Sequence, residues 1–299
     1  MTELALFGTD LFGEVIKPKA SGPVAERFTL PPFTILDARS GDWQERKRAW
    51  ASLGINSEVG RTENLLRMSD TCSLGEKDTS IFDPVVCELV YRWFCPAGGQ
   101  VVDPFAGGSV RGIVAAQLGL NYWGCDLRAE QVEANRAQAE MICGDVKPQW
   151  VCGDSMETLT DAPAADFIFS CPPYGDLEVY SDDPADLSNM EWHTFVAAYK
   201  RIIMRSVARL KDDRFACFVV GDFRDPKGFY RDFVSTTIRA FEECGARLYN
   251  EAILVTSVGS ASMRVTKQFD ASRKMAKTHQ NVLVFCKGDP RKAAGACKT

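Results

Sequence analysis

The stretch Ser170-Cys171-Pro172-Pro173-Tyr174 carries the residue types with the most chemical content in this chain. It follows Asp166-Phe167-Ile168-Phe169, which reads as a short buried strand. Proline lacks the N–H and fixes φ, so the chain must leave the sheet at Pro172 and Pro173 with a stiff, preset backbone. Ligands of α/β proteins sit outside the carboxyl ends of strands. A Pro-Pro-Tyr corner at such an end presents backbone carbonyls and a flat ring to a planar ligand. Holding a nucleobase amine for chemistry requires that geometry.

A second set of residues lies upstream. Gln100-Val101-Val102-Asp103 reads as a strand. Pro104-Phe105-Ala106-Gly107-Gly108-Ser109 reads as a glycine-rich turn leading into a helix from Val110 to Leu118. Gly107 and Gly108 let a ligand approach the backbone, and the helix N-terminus beyond them favours an anionic group. The next strand, Asn121 to Cys125, ends in Asp126. A carboxylate at a second strand end, about 20 residues after a glycine turn, commonly accepts hydrogen bonds from ribose hydroxyls. A third strand, Trp150 to Cys152, ends in Gly153-Asp154, which places Asp154 toward a base edge. Asp126 and Asp154 could instead cap helices, but acidic strand ends in series favour the ligand role. Asp222 also ends a strand; no motif supports it, and it reads as a turn residue.

The elements that must position these residues follow from periodicity. A helix over Phe82 to Phe94 opens on Asp83-Pro84, as expected of an N1 proline. After the strands already named come a long helix from Glu191 to Leu210 and a strand from Phe215 to Val220. A helix from Phe229 to Cys244, a strand from Gly245 through Thr256 and a last strand from Val282 to Cys286 complete the pattern. The alternation predicts an α/β fold with a mostly parallel, seven-stranded sheet and helices on both faces. Prolines punctuate residues 1–75, which predicts an irregular N-terminal extension, a candidate for contact with DNA or a partner. Within it, Asp42 to Leu53 reads as a short helix with Trp43, Arg46, Lys47, Arg48 and Trp50. That helix either contacts phosphates with aromatic support or packs its tryptophans on the main domain behind a solvated basic face. The main domain is expected over 76–289 and a flexible polar tail over 290–299.

Composition narrows the function classes. The 299 residues are 45% hydrophobic and 25% charged, enough for one large α/β domain with an extension. No apolar run is long enough for a membrane span, and the N-terminus lacks the basic start and apolar stretch of a secretory signal. Eleven scattered cysteines without a Cys-x-x-Cys pair, and only His193 and His279, argue for reduced core cysteines and against a metal site. The expected setting is cytoplasmic. A net charge of −5 argues against a nonspecific nucleic-acid coat protein while leaving room for a local basic face.

Asp-Pro-Phe-Ala-Gly-Gly, then Asp126, then Gly153-Asp154-Ser155, then Cys171-Pro172-Pro173-Tyr174 resembles the DNA amino-methyltransferases. The closing His279 to Phe285 and the order of motifs are similar too, about 65 residues separating the glycine turn from the prolines. The likeness covers roughly residues 76–289. The N-terminal stretch looks like a module that accompanies such domains in bacteriophages and prophages, so host cytoplasm and a restriction–modification setting are implied. The resemblance implies a Rossmann-like methyltransferase fold, S-adenosylmethionine as cofactor, DNA as partner, and methylation of the adenine 6-amino or cytosine 4-amino group, adenine slightly favoured. Cys171 and the Pro172 carbonyl would face the amine, with Pro173 holding the corner and Tyr174 stacking on an extruded base. Asp103 and the Gly107-Gly108 backbone would meet the methionine end of the cofactor. Phe105 would line its pocket, Asp126 bind the ribose and Asp154 the adenine amine. By resemblance, Thr79, Ser80 and Phe82 touch the methionine end.

Two positions depart from the family. Cys171 stands where Asp, Asn or Ser is common, and a thiol is a weak acceptor. Gly-Gly-Ser replaces Gly-Ser-Gly. A covalent cysteine mechanism would call for Pro-Cys-Gln, whereas Cys171 precedes its prolines. Arg264, Lys267, Arg273, Lys274 and Lys277, between the last two strands, are the expected phosphate contacts. The acidic segment Gly175 to Asn189 would repel phosphate and is expected to shape the base pocket or cover it. Other readings are an RNA amine methyltransferase, a protein glutamine methyltransferase, and a catalytically silent cofactor-binding protein that docks on DNA or a partner.

Overall fold

The computed structural model describes residues 23–55, 82–175, 181, 183–258 and 261–298. The elements in chain order are α1 (Pro23–Phe28), β1 (Ile35–Asp37), α2 (Gly41–Ala51), α3 (Pro84–Phe94), β2 (Gln100–Asp103), α4 (Val110–Gln117), β3 (Asn121–Asp126), α5 (Ala129–Ile142), β4 (Gln149–Cys152), α6 (Ser155–Thr158), β5 (Ala165–Ser170), α7 (Trp192–Arg209), β6 (Leu210–Val220), α8 (Phe233–Glu243), β7 (Ala246–Val255), α9 (Ala261–Ser272), β8 (His279–Lys287) and α10 (Pro290–Ala296).

Successive residues of the central strands face opposite sides of the sheet, and both sides are apolar. Val101, Phe167 and Phe169 enter one core with α2, α3 and α4, while Val102 and Ile168 enter the other with α7 and α8. This two-sided burial gives the fold its layers: helix, sheet, helix. The strand order is β1-β7-β8-β6-β5-β2-β3-β4, parallel throughout except for β8, which runs antiparallel between β6 and β7. The sheet therefore has eight strands, where seven were expected. The eighth, β1, comes from the N-terminal extension and pairs Ile35, Leu36 and Asp37 with Ile253, Leu254 and Val255. Three residues after the Pro31-Pro32 pair carry too little alternation to announce a strand.

The chain winds from β2 outward through β3 to β4, then returns to β5 and winds the other way through β6. β2 and β5 are thus neighbours at a topological switch point, in register through Val101–Phe167 and Val102–Ile168. Ligands of doubly wound sheets bind at such a point, outside the carboxyl ends. The two ends that meet here are those of Asp103 and Ser170.

The N-terminal helix α2 resolves in favour of packing. Trp43, Arg46 and Trp50 are buried. Trp50 Nε1 donates to Glu88 Oε2 at 2.8 Å and Arg46 Nε to the same oxygen at 3.1 Å, while Arg92 Nε reaches Oε1 at 3.0 Å. Arg48 stays exposed. Residues 290–296, expected in a flexible tail, form α10 instead. Asp289 caps it, Pro290 starts it, and Ala293 is fully buried. The interval between β7 and β8, expected as a loop, contains the helix α9, exposed on every side from Thr266 to Ser272.

Candidate active site

β2 ends in a carboxylate that is fully committed. Asp103 Oδ1 accepts from Phe105 N at 3.1 Å and Ser170 Oγ at 2.5 Å; Oδ2 accepts from Arg111 Nε at 2.6 Å and Tyr122 OH at 2.7 Å. Arg111 turns back under the glycine-rich turn, donating through Nη2 to the carbonyls of Phe105 and Ala106. Burial by itself would lower the Arg111 pKa, but the Asp103 charge beside it prevails and raises it. Asp103 is wholly buried and does not line the cavity described below. Expected at the methionine end of the cofactor, it clamps the end of β2 to β5 and to the turn that lines the cavity. Ser170, on the opposite side of β5 from Cys171, completes that clamp.

The turn itself is shaped for close approach. Gly107 has φ +49°, and a Cβ there would point into open space. Its amide donates to Asp126 Oδ2 at 2.9 Å, and its carbonyl accepts from Asn135 Nδ2 at 2.7 Å. These bonds tie the turn to the end of β3 and to α5. Asp126 Oδ1 accepts from Arg128 N at 3.0 Å. Burial pushes the Asp126 carboxyl above its ordinary value, against the opposing pull of Arg128 and of the Gly107 amide. Asp154 follows β4 and caps α6, accepting from Met156 N at 2.8 Å. It serves as a cap and still faces the cavity.

The corner after β5 is held by aromatic packing. Tyr174 meets the edges of Phe223 and Phe233 at 6.1 and 6.0 Å, and its hydroxyl accepts from Gln280 Nε2 at 2.7 Å. Pro172 is buried; Cys171 and Pro173 are half-buried.

These parts enclose one cavity of about 400 Å³. Its wall holds Phe105, Gly107, Gly108, Asp126 and Asp154 on one side, Cys171, Pro172, Pro173 and Tyr174 on the other, and Phe82 under the guanidinium of Arg111 at 4.8 Å. Thr79 and Ser80 lie outside the described residues. Further wall residues carry no motif signal. Gln44 and Lys47 come from α2, with Lys47 Nζ 3.1 Å from Asp83 Oδ2. Arg128, Asp186 and Gln280 also contribute. Lys47 sits in a basic stretch of sequence whose position against the turn only the tertiary fold reveals. Asp186 belongs to the acidic segment and is turned inward, bonded to Ser188 and Ser181. Residues 176–180 and 182 of that segment lie outside the described residues.

The basic residues divide. Lys267 and Arg273 are exposed, Arg273 stacking on Phe269 at 5.2 Å. Lys274 packs its tip on Gly228. Lys277 lies beside Gly221 and approaches His279 Nε2 at 3.2 Å. Burial lowers its pKa, against the charge of Asp222, and burial with the Lys277 charge lowers that of His279. The side chain of Arg264 lies outside the described part. Asp222, read as a turn residue, accepts from Phe233 N and Val234 N and so caps α8 across a hairpin. Among the described residues no cluster of His, Cys, Asp or Glu is placed to hold a metal ion, and no helix is long and apolar enough to cross a membrane.

No protein-family model and no curated protein matches the chain. Among solved structures, the chain is similar to TrmN from Thermus thermophilus at 14% identity and a TM-score of 0.48, over 70% of this chain and 50% of that one, so it spans half the length of that protein. It is similar to precorrin-6y C5,15-methyltransferase from Geobacter metallireducens GS-15 at 12% identity and a TM-score of 0.46, over 74% and 97% of the two chains. It is also similar to magnesium protoporphyrin IX methyltransferase from Synechocystis PCC 6803 with bound SAM, at 10% identity and a TM-score of 0.44, over 72% and 87%.

Proposed function

We propose that this protein transfers a methyl group from S-adenosylmethionine to an exocyclic amine of a base in DNA, adenine ahead of cytosine. The observation that carries the reading is the single cavity at the switch point, walled by the Gly107-Gly108 turn and by the Cys171–Tyr174 corner together.

The residues present suit the cofactor. The inner side of the turn at Gly107 is open. Each oxygen of Asp126 already accepts one amide, and a carboxylate oxygen can accept a second donor, so ribose hydroxyls have a place to bind. Asp154 and Phe105 offer a carboxylate and a ring for the adenine, and Lys47 a cation for the methionine carboxylate. Bound there, the cofactor supplies a methyl group made electrophilic by its sulfonium.

The chain's own contribution is orientation. An exocyclic amine is a poor nucleophile because its lone pair is delocalised into the ring. Acceptors that receive hydrogen bonds from its N–H groups turn the amine and localise that pair, which is positioning and electrostatics with no strong base. The Cys171 thiol and the Pro172 carbonyl are the acceptors; the half-buried ring of Tyr174, fixed by Gln280, Phe223 and Phe233, stacks on the base. A base inside a duplex cannot enter such a cavity, so the target must be extruded.

The test is incubation of the full chain with the cofactor and separate pools of DNA and RNA, followed by mass spectrometry of the nucleosides. Methylated adenine or cytosine amine from DNA is expected. Product from RNA alone would move the assignment to RNA. No nucleoside product, together with no calorimetric uptake of the cofactor, would overturn the reading.

A further inference from the structure

The hairpin that follows β6 is more elaborate than a connection between β6 and α8 needs. Asp225-Pro226-Lys227-Gly228 makes a tight turn closed by Gly228 N on Asp225 O at 2.9 Å, and Gly228 has φ +96°. Arg231 N donates to Phe223 O and Asp225 N to Phe229 O, so two short arms are paired. The base of the hairpin is anchored in the corner that forms the cavity wall: Phe223 is buried, edge-on to Tyr174 at 6.1 Å and to Trp192 at 5.7 Å. Toward the tip, packing stops. Phe229 is 70% exposed and Tyr230 48%. Cations lie near these rings: Arg224 sits over Tyr230 at 4.1 Å, Lys227 is exposed in the turn just before Phe229, and Lys274 lies against Gly228. Two of the nearby acids are engaged locally, Asp222 capping α8 and Asp225 accepting from Phe229 N, while the exposed Asp232 pairs with Arg239.

We infer that this hairpin is a wedge for nucleic acid, in which Phe229 stacks on the bases bordering the position that the target base has left. Exposed aromatics with cations on the same hairpin match a π-face flanked by phosphates. The placement fits as well, because the tip stands about two strand residues, roughly 7 Å, beyond Phe223, which touches the ring proposed to hold the extruded base. The inference rests on the reading of the cavity as a base pocket and adds the element that keeps the emptied stack open.

The test uses the full chain and two labelled duplexes of one sequence, one fully paired and one with a single abasic position, with binding read by fluorescence anisotropy. An abasic gap admits a wedge without extrusion of a base. The wild type is expected to bind the abasic duplex about tenfold more tightly, the scale of one base–aromatic stack. Phe229→Ala should lose most of that preference while binding the paired duplex nearly as before, and Phe229→Trp should keep it. Equal binding of both duplexes by the wild type, binding of neither, or an undiminished preference in Phe229→Ala overturns the wedge. Cofactor uptake, read separately by calorimetry, keeps the two failures apart. Intact uptake without abasic preference removes the wedge alone. Abasic preference without uptake supports the wedge and removes the methyl-transfer reading.

Discussion

Asp103 and Asp126 both end strands beside the glycine turn, and their bonding separates their duties. Asp103 neutralises a buried Arg111 and accepts four donors. Removing one partner of a buried ion pair leaves the other charge uncompensated, so Asp103→Ala should lose about 3–5 kcal/mol of stability in urea titration. Any loss of activity in that variant would report unfolding rather than chemistry. Asp126 is held by two backbone amides and faces the cavity. Asp126→Ala should stay folded and lose about tenfold or more in cofactor uptake, the scale of hydrogen bonds to a charged group; unchanged uptake by calorimetry would remove Asp126 from the cofactor site. Acidification should act on the same group. Burial raises its pKa, so its contribution to stability is full below the unfolded value and declines as pH rises through the folded one. Lowering the pH toward the raised pKa therefore weakens uptake that depends on the carboxylate while this group makes the fold no less stable. A pH series of uptake in wild type and Asp126→Asn checks this, with the acid-side decline expected only in the wild type.

The N-terminal extension joins the main fold twice, through the buried bonds of α2 to Glu88 and through the pairing of β1 with β7, and α2 also supplies Lys47 and Gln44 to the cavity wall. Trp50 is almost wholly buried, so Trp50→Ala should cost about 3–5 kcal/mol in chemical denaturation and loosen that wall. A loss within the range of surface substitutions would show that the extension is merely attached. The strands and helices flanking the site were legible in sequence because each repeats one period and stops at a defined break: Asp83-Pro84 at a helix start, Pro172-Pro173 at a strand end. Asp289-Pro290 is the same start signal as Asp83-Pro84, yet polar, short 290–296 lacks the apolar face that makes a helix readable from sequence. β1 is three residues long, and the partners of Glu88 lie about 40 positions upstream, beyond any local period. The two halves of the cavity were legible as motifs. That Asp103 is spent on Arg111 and Tyr122 was not, because it takes tertiary folding to bring a strand end, a helix and a neighbouring strand together.

Taken as a whole, the molecule is acidic, with a net charge of −5, so long-range attraction to a polyanion is weak and any affinity for DNA must be local. The described cations on the β7–β8 side of the cavity are unequal. Lys267 and Arg273 are exposed on and beside α9, which is exposed from Thr266 to Ser272, whereas Lys274 packs on the hairpin and Lys277 is half-buried beside Tyr174's neighbour Gly221. If the four all met phosphates, the slope of log affinity against log salt would approach about −4 on B-DNA. Lys277 is half-buried beside Gly221, where it is poorly placed to reach a phosphate, so the slope should be shallower, nearer about −3. Lys267→Ala should weaken binding of every duplex sequence alike and reduce the slope by about one, while Lys277→Ala should leave the slope nearly unchanged. Anisotropy titrations across a range of potassium chloride concentrations decide it. A slope near zero for the wild type would detach α9 from the phosphate backbone, and a full unit lost in Lys277→Ala would place that lysine on a phosphate after all.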